Sequence, residues 1–284
     1  MIMGWHEWPL VLFTVIAQTA MGAFWWCFAA LMAGGLDPER RHALEKRMIV
    51  VWALVAVGFG CAAFHLGSPA RFINASFRFG AAAFSNEVVF GSLFACAGIV
   101  TWYLAWKNLA TVQLRNRLHW LTLLLCAGFL YGMCSFYLMP TVPTWNTPLT
   151  PLAYVLTALI GGGAVAAALF AAAGIERGFL RHGPLKLAAL AVGLAVLLTI
   201  TQANGLASIA SSIKQASALT PDYAALMALR FVILFSVLGL WVRASLRGQA
   251  LSLQTGLAYG GLLMLGEMVG RGVFYNLHMT VGLR

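Results

Sequence analysis

Two short stretches of the chain, "AAFHLGSPARF" (62–72) and "SNE" (85–87), carry side chains that can move protons. Histidine has an unperturbed pKa of about 6.5, so His65 can accept a proton near neutral pH. A carboxylate such as Glu87 can orient an imidazole and stabilise its cation, and Arg71 can polarise a carbonyl oxygen. Quinol oxidation, which releases two protons and two electrons, needs these three functions. The alternative is that His65 only caps a helix end at the lipid headgroups.

A second polar group lies near the C-terminal end, in "GEMVGRGVFYNLHMTVG". Glu267, Arg271 and Tyr275 are spaced four residues apart, and His278 follows Arg271 by seven, so a helix would place all four on one face. Glu267 is then about 13 Å from the end of its helix, and a carboxylate so deep in a membrane needs a partner or a wet cavity. Two interpretations stay open: an Arg271–Glu267 pair that locks the helix, or a part of the quinol-binding site.

The sequence gives no sign of a redox centre in this chain. Paired histidines inside the bilayer, as b-type haem requires, are missing, so we expect no haem. A metal site from His65, Glu87 and His278 is chemically possible, but no metal-ligand spacing supports it. The five cysteines form no CxxC pair and are interpreted as small buried hydrophobic residues. The electrons of a quinol would therefore need an acceptor on a partner.

The composition indicates whether these residues lie in water or in a lipid bilayer. Hydrophobic residues make up 61% of the 284 residues and charged residues only 9%, and the mean hydropathy is +0.85. Charged residues are about a quarter of an average soluble chain, so a lipid bilayer is predicted. The net charge of +10 does not indicate nucleic acid, because the basic residues lie in short turns between apolar runs.

Eight apolar segments are long enough to cross about 30 Å of hydrocarbon, which takes roughly 20 residues each. Backbone groups in lipid must be satisfied locally, so these segments are predicted to be helices rather than barrel strands. Residues 1–284 are thus predicted to form one all-α membrane domain, with Pro184 in a connection and a short surface helix within 204–223. The eight predicted helices cover 9–33, 48–66, 86–106, 119–138, 150–173, 185–203, 224–243 and 252–276.

The distribution of basic residues predicts the orientation. Twelve of the 18 lysines and arginines follow the first, third, fifth and seventh predicted helices. Cytoplasmic loops are enriched in such residues, so both termini are expected on the periplasmic side, together with His65, Glu87 and His278. Three histidines fall on the cytoplasmic side and are expected to be solvated: His42, His119 and His182.

Several motifs together resemble the membrane anchor subunit of dimethyl sulfoxide reductase complexes. They occur in order from residue 4 to residue 282: "GWHEWPL", "HLGSPARFIN", "SNE", "TVPTW", "QASALTPDYAAL" and "GEMVGRGVFYNLHMTVG". The resemblance implies an eight-helix, haem-free anchor in the bacterial inner membrane that oxidises menaquinol during anaerobic respiration. It also implies a heterotrimer, in which electrons pass to an iron–sulfur subunit and then to a molybdopterin catalytic subunit. His65 and Glu87 match positions associated with the quinol site of that family.

Three other functions stay open at this point. A related anchor could work in reverse and pass electrons into quinone, for example from sulfite. A transporter is a second class, but transporters place polar residues near the bilayer midplane, whereas here they gather toward one edge. A purely structural anchor is the third, and it leaves His65 and Glu267 without a redox role.

Overall fold

The structure is a computed structural model that describes residues 6–176, 178–210, 215–249 and 251–280. Nine α-helices and no β-strand occur in these ranges, which confirms the all-α class. The helices are α1 (Trp8–Met32), α2 (Pro38–Arg47), α3 (Ile49–Ala63), α4 (Ala83–Trp106), α5 (Val112–Tyr137), α6 (Leu149–Ala172), α7 (Gly178–Leu206), α8 (Tyr223–Leu246) and α9 (Leu253–Asn276).

Seven helical stretches in the described ranges are long and apolar enough to cross a membrane. They are α1, the nearly continuous pair α2–α3, and α4 to α8. The predicted eighth segment, 252–276, corresponds to α9, which is not among the seven. Glu267, Arg271 and several glycines lower its hydropathy. Eight crossings therefore stays a prediction.

Three helices begin well before the predicted apolar segments do, and in two of them a cap stabilises a polar first turn. Asp37 accepts a hydrogen bond from the Arg40 N–H at 2.8 Å, and Thr111 accepts one from the Leu114 N–H at 3.3 Å. The third case is α7, which begins at Gly178, so Pro184 lies inside a helix and not in a connection as predicted.

The helices alternate in direction, so the bundle has two ends that differ in character. At one end, here called the His65 end, α3, α5, α7 and α9 finish and α1, α4, α6 and α8 begin. The other end holds the α1–α2 connection and the start of α5, and is called the Glu45 end. The connection 64–82 at the His65 end contains a 3₁₀ segment, Pro69–Ser76, and several exposed apolar side chains: Phe64, Phe72, Ile73, Phe77 and Phe79.

The centre of the bundle is α1, which packs against α3, α5, α6 and α9. Its contact with α6 is a close backbone approach: a Cβ on Gly22 would overlap the carbonyl of Ala158, and one on Gly162 would lie 2.5 Å from the backbone N of Ala23. Small residues permit such close packing of helices in lipid. Polar residues of both helices, Gln18 of α1 and Thr157 of α6, meet the same guanidinium group of Arg271.

The connection between α7 and α8 lacks the predicted surface helix in its described part. There α7 continues to Leu206, and the following residues form one 3₁₀ turn, Ala216–Leu219. Residues 211–214 lie outside the described ranges. The hydroxyl of Tyr223 donates to the Thr199 carbonyl at 3.1 Å, which joins the start of α8 to the last turns of α7.

Candidate functional site

His65 lies at the surface, just after the end of α3. Its Nδ1 is 3.1 Å from Oε2 of Glu7, and the two side chains are 44% and 42% exposed. The carboxylate beside this imidazole is therefore Glu7 and not Glu87, and no direct contact joins His65 to Glu87 in the described ranges. Arg71 is exposed in the 3₁₀ segment of the same connection. The sequence did not indicate the Glu7–His65 pair, because the two residues lie far apart in the chain, before α1 and after α3.

Glu87 is in the opposite situation, buried in the first turns of α4 with 7% of its surface exposed. Its backbone lies against α5, where a Cβ on Gly132 would be 2.6 Å from the Glu87 Cα. Within the described part of the chain its carboxyl forms no hydrogen bond or ion pair. The first turns of α4 thus lie beside the last turns of α5, which carry Cys134 and Tyr137. A buried carboxyl without a partner is costly and marks a candidate functional group.

Two tyrosines form a hydrogen-bonded pair beside Glu87. The hydroxyls of Tyr137 on α5 and Tyr275 on α9 are 2.7 Å apart, and both side chains are buried. The pair therefore joins the last turn of α5 to the last turn of α9 at the His65 end.

Glu267 pairs with a residue that the sequence interpretation did not consider. Nη2 and Nε of Arg230, on α8, donate to Oε1 of Glu267 at 2.9 and 3.2 Å. The Thr157 hydroxyl donates to Oε2 at 2.6 Å. The Arg271–Glu267 pair within α9, one of the two interpretations left open by the sequence, is therefore not formed in the structure. Geometry explains it: α8 packs alongside α9, so Arg230 reaches the carboxylate from the facing helix.

Arg271 turns toward the centre of the bundle instead. Its Nη2 donates to Oε1 of Gln18 at 2.8 Å, and lies 3.4 Å from the Thr157 hydroxyl. Its guanidinium carbon stands 3.9 Å from the ring centroid of Tyr154, which is a cation–π contact. The Tyr154 hydroxyl and the Gln18 side-chain nitrogen are buried and have no hydrogen-bond partner among the described residues.

A cavity adjoins these charges between α6, α7, α8 and α9. Its volume is ≈ 40 Å³. Arg230, Glu267 and Arg271 line its polar side, together with Gln202, and its apolar walls include Leu198, Met227 and Phe274. The cavity supplies the wet environment that the depth of Glu267 demands.

His278 lies at the His65 end, apart from Glu267 and Arg271. Its ring is exposed and stands 4.8 Å, between centroids, from the ring of Trp145. Trp145 donates its indole N–H to the Phe274 carbonyl at 2.7 Å. The uncharged connection 139–151 thus packs onto the end of α9 and closes the bundle above the tyrosine pair.

A buried ionic cluster at the Glu45 end escaped the sequence interpretation. Glu45 of α2 is 1% exposed and lies 3.2 Å from Arg115, 3.4 Å from Arg41 and 3.7 Å from His119. His119 is 2% exposed, so its predicted solvation is wrong. Only the polar character of "PERRHALEKR" was visible in the sequence, and it suggested a solvated surface.

The described residues contain no group of three or more histidine, cysteine, aspartate or glutamate side chains that could hold a metal ion. Cys27, Cys126 and Cys134 are buried at separate positions. An iron–sulfur cluster needs clustered thiolates, and these residues do not fit one. The absence of haem and metal from this chain stays an expectation.

Comparison with known proteins supplies the family. A family model described as the DMSO reductase anchor subunit (DmsC) matches residues 1–277. The C subunit of anaerobic dimethyl sulfoxide reductase from Escherichia coli (strain K12) is 39% identical over 281 residues. The anaerobic dimethyl sulfoxide reductase subunit YnfH of the same organism is 40% identical over 283, and the C subunit from Haemophilus influenzae is 34% identical over 281. Each match covers 99% of this chain and 98% of the relative. The chain therefore belongs to the DMSO reductase anchor subunit (DmsC) family, multi-pass helical membrane proteins of the bacterial inner membrane.

Proposed function

We propose that the chain is the membrane anchor and quinol-oxidising subunit of a molybdopterin-containing respiratory reductase. In this function it takes electrons from menaquinol and passes them to an iron–sulfur partner during anaerobic respiration. The names of the relatives, which are subunits of anaerobic dimethyl sulfoxide reductase, support the type of complex. The observation that carries the chemistry is the buried, unpartnered carboxyl of Glu87 beside the tyrosine pair.

The proposed topology has eight crossings, with α9 as the eighth and both termini in the periplasm. The excess of lysine and arginine in alternate connections supports it. The His65 end then faces the periplasm. The Arg230–Glu267 pair offsets part of the cost of placing α9 in lipid, because the two charges and the adjacent cavity are shared with α8.

The proposed site divides the two protons of the quinol between two bases. Glu87 accepts the proton from the inner hydroxyl, and His65, held by Glu7, accepts the other at the mouth. One menaquinol then yields one menaquinone, two protons and two electrons. The proposed catalytic residues are His65 and Glu87, and the proposed quinol-binding residues are those two with Arg71, Glu267, Arg271, Tyr275 and His278.

The partners follow from the electron balance. Two electrons must leave, and the cysteines described above do not form a cluster site, so the acceptor is an iron–sulfur subunit bound at the His65 end. A molybdopterin catalytic subunit, the third member of the heterotrimer, reduces the terminal acceptor. Menaquinol is the bound substrate of this protein, and the lipid bilayer supplies it.

The experiment uses the assembled complex in membranes, with a menaquinol analogue or a soluble dye as electron donor. Glu87→Gln keeps the size of the side chain and removes the base, so quinol-driven turnover should fall by about 10²–10⁴-fold. Dye-driven turnover should stay normal, because the dye bypasses the anchor. His65→Ala should also lower only the quinol-driven rate.

The matched control is Glu39→Gln, an exposed carboxylate near the start of α2. It should leave both rates unchanged. Normal quinol-driven turnover in Glu87→Gln would contradict the proposed site. Normal turnover in His65→Ala alone would make His65 a headgroup-level cap and leave Glu87 as the base.

A further inference from the structure

The proposed function creates a requirement at Glu87 that His65 does not meet. A buried base that accepts a proton in each turnover must release it before the next. Glu87 is 7% exposed, and no contact with the surface pair of His65 and Glu7 occurs in the described ranges. The proton therefore needs another outlet.

Polar groups lead sideways from Glu87 across the bundle. The first turns of α4, which carry Glu87, lie against the last turns of α5, which ends at Tyr137. The Tyr137 hydroxyl is hydrogen-bonded to that of Tyr275 at 2.7 Å. A hydroxyl can accept one proton while it donates another, so two hydroxyls in contact can pass a proton without carrying a net charge. The pair joins α5 to α9.

Beyond the pair, a second set of polar groups continues toward Glu267. Tyr154 lies between the two sets: its ring centroid is 5.8 Å from that of Tyr137 and 3.9 Å from the guanidinium carbon of Arg271. The buried Tyr154 hydroxyl and Gln18 side-chain nitrogen have no described partner, and such groups usually bind ordered water. Thr157 then continues the series, with its hydroxyl 2.6 Å from Glu267.

The size of the cavity beside Glu267 decides what can occupy it. About 10–15 Å³ of such space holds one water molecule, so ≈ 40 Å³ holds about three waters. The polar side of the cavity suits water, because Glu267, Arg230 and Gln202 offer both donors and acceptors.

The charges along this route also favour release. With both carboxyls ionised, Glu87 and Glu267 balance Arg230 and Arg271. A proton on Glu87 leaves the set with one net positive charge inside the bundle. That excess is removed when the proton passes to the cavity water, so the next turnover starts from the neutral set.

We infer that the buried polar groups from Glu87 to the cavity at Glu267 form a proton path. It runs through the Tyr137–Tyr275 hydroxyl pair, water held by Gln18 and Tyr154, and Thr157. This inference rests on the proposed function and gives the second quinol proton an outlet separate from His65. One proton enters at Glu87 and one leaves to the cavity water in each turnover; the two electrons go to the iron–sulfur partner.

The test uses variants that remove one hydroxyl and keep the shape of the side chain. Tyr275→Phe and Thr157→Val in the assembled complex should lower quinol-driven turnover about 10-fold or more, toward the lower end of the range for acid–base assistance. Dye-driven turnover should stay normal. The solvent deuterium isotope effect on quinol-driven turnover should rise, because proton transfer becomes rate-limiting. Thr157→Ser, which keeps the hydroxyl, should restore the normal rate and isotope effect.

The control is Tyr131→Phe, an exposed tyrosine on the same helix as Tyr137. It should change neither rate. Quinol-driven rates within twofold of normal in both variants, or an unchanged isotope effect at a lowered rate, would overturn the path. If Tyr275→Phe fails to assemble, the Thr157→Val and Thr157→Ser pair decides alone. A slow Glu87→Gln with normal path variants would reject the path and keep the proposed function.

Discussion

Two carboxylates buried at opposite ends of the bundle have different surroundings. Glu45 has two guanidinium groups and one imidazole within 3.7 Å, from Arg41, Arg115 and His119. Glu87 has no ion pair or hydrogen bond in the described part of the chain, and its polar neighbours are a thiol and tyrosine hydroxyls. Both side chains are less than 10% exposed, so burial alone does not distinguish them.

The two carboxylates differ in whether their oxygens are paired with charged side chains. Glu45 is paired with cations that also tie its helix to the start of α5, since Arg41 contacts Asn116 as well. Such an arrangement stabilises one geometry. The carboxyl of Glu87 stays free to accept a proton, and no ion pair at Glu87 stabilises the fold. A buried charge is therefore assigned to structure or to chemistry by its partners and not by its depth.

The largest effect on stability is expected from Glu45→Ala. Its loss leaves two guanidinium groups buried without their counter-charge, and breaking a buried pair in this way typically costs 3–5 kcal/mol. The unfolding free energy of the detergent-solubilised protein should fall by about this amount. A loss below about 1 kcal/mol would mean that the cluster is hydrated and does not hold α2 to α5.

Arg230→Met should cost less, about 3 kcal/mol, because Thr157 still donates to Glu267 after the guanidinium is removed. The double variant Arg230→Met with Glu267→Met removes both charges and should recover most of that loss. Thermal unfolding of the single and double variants measures the coupling. A double variant less stable than the single one would show that the pair is not the source of the cost.

Gly132→Ala tests the packing that places Glu87. The added Cβ would lie 2.6 Å from the Glu87 Cα, so α4 and α5 must separate, and overpacking of this kind typically costs 1–3 kcal/mol. Quinol-driven turnover should fall with stability. Gly193→Ala on α7, where nothing lies within 4 Å of an added Cβ, should change neither quantity.

Glu87→Gln should have the smallest effect on stability, although its effect on quinol-driven turnover should be the largest. Glu87→Gln removes a carboxyl that has no described ionic partner, so the unfolding free energy should change by less than about 1 kcal/mol. Calorimetry or thermal scanning of Glu87→Gln beside Glu45→Gln sharpens the comparison directly. A loss for Glu87→Gln as large as that for Glu45→Gln would return Glu87 to a structural role.

Hydropathy predicted the helical class because a bilayer requires long apolar runs, and α1 and α6 satisfy that rule clearly. It missed the polar starts of α2 and α5, where capping by Asp37 and Thr111 extends the helices into charged sequence. Pro184 was misplaced because a proline is a good boundary signal only when the preceding turn is not already helical.

Part of the candidate site was also predictable, but its pairing was not. The sequence indicated Glu87, Glu267 and Arg271 because charges are rare in apolar runs. Spacing along one helix suggested the wrong partner for Glu267, since the actual partner Arg230 lies 37 residues away on another helix. Pairing between helices depends on their rotation and depth, and a single sequence contains no direct signal for either.

The central position of α1 has a consequence for how the protein is made. Of the described helices, α1 is synthesised first and α9 last, yet Gln18 of α1 obtains its hydrogen bond from Arg271 of α9. Until α9 emerges from the ribosome, the inserted α1 exposes an amide group to lipid without this partner. Gln18 of α1 thus lacks its hydrogen bond from Arg271 until α9 has been synthesised and packed.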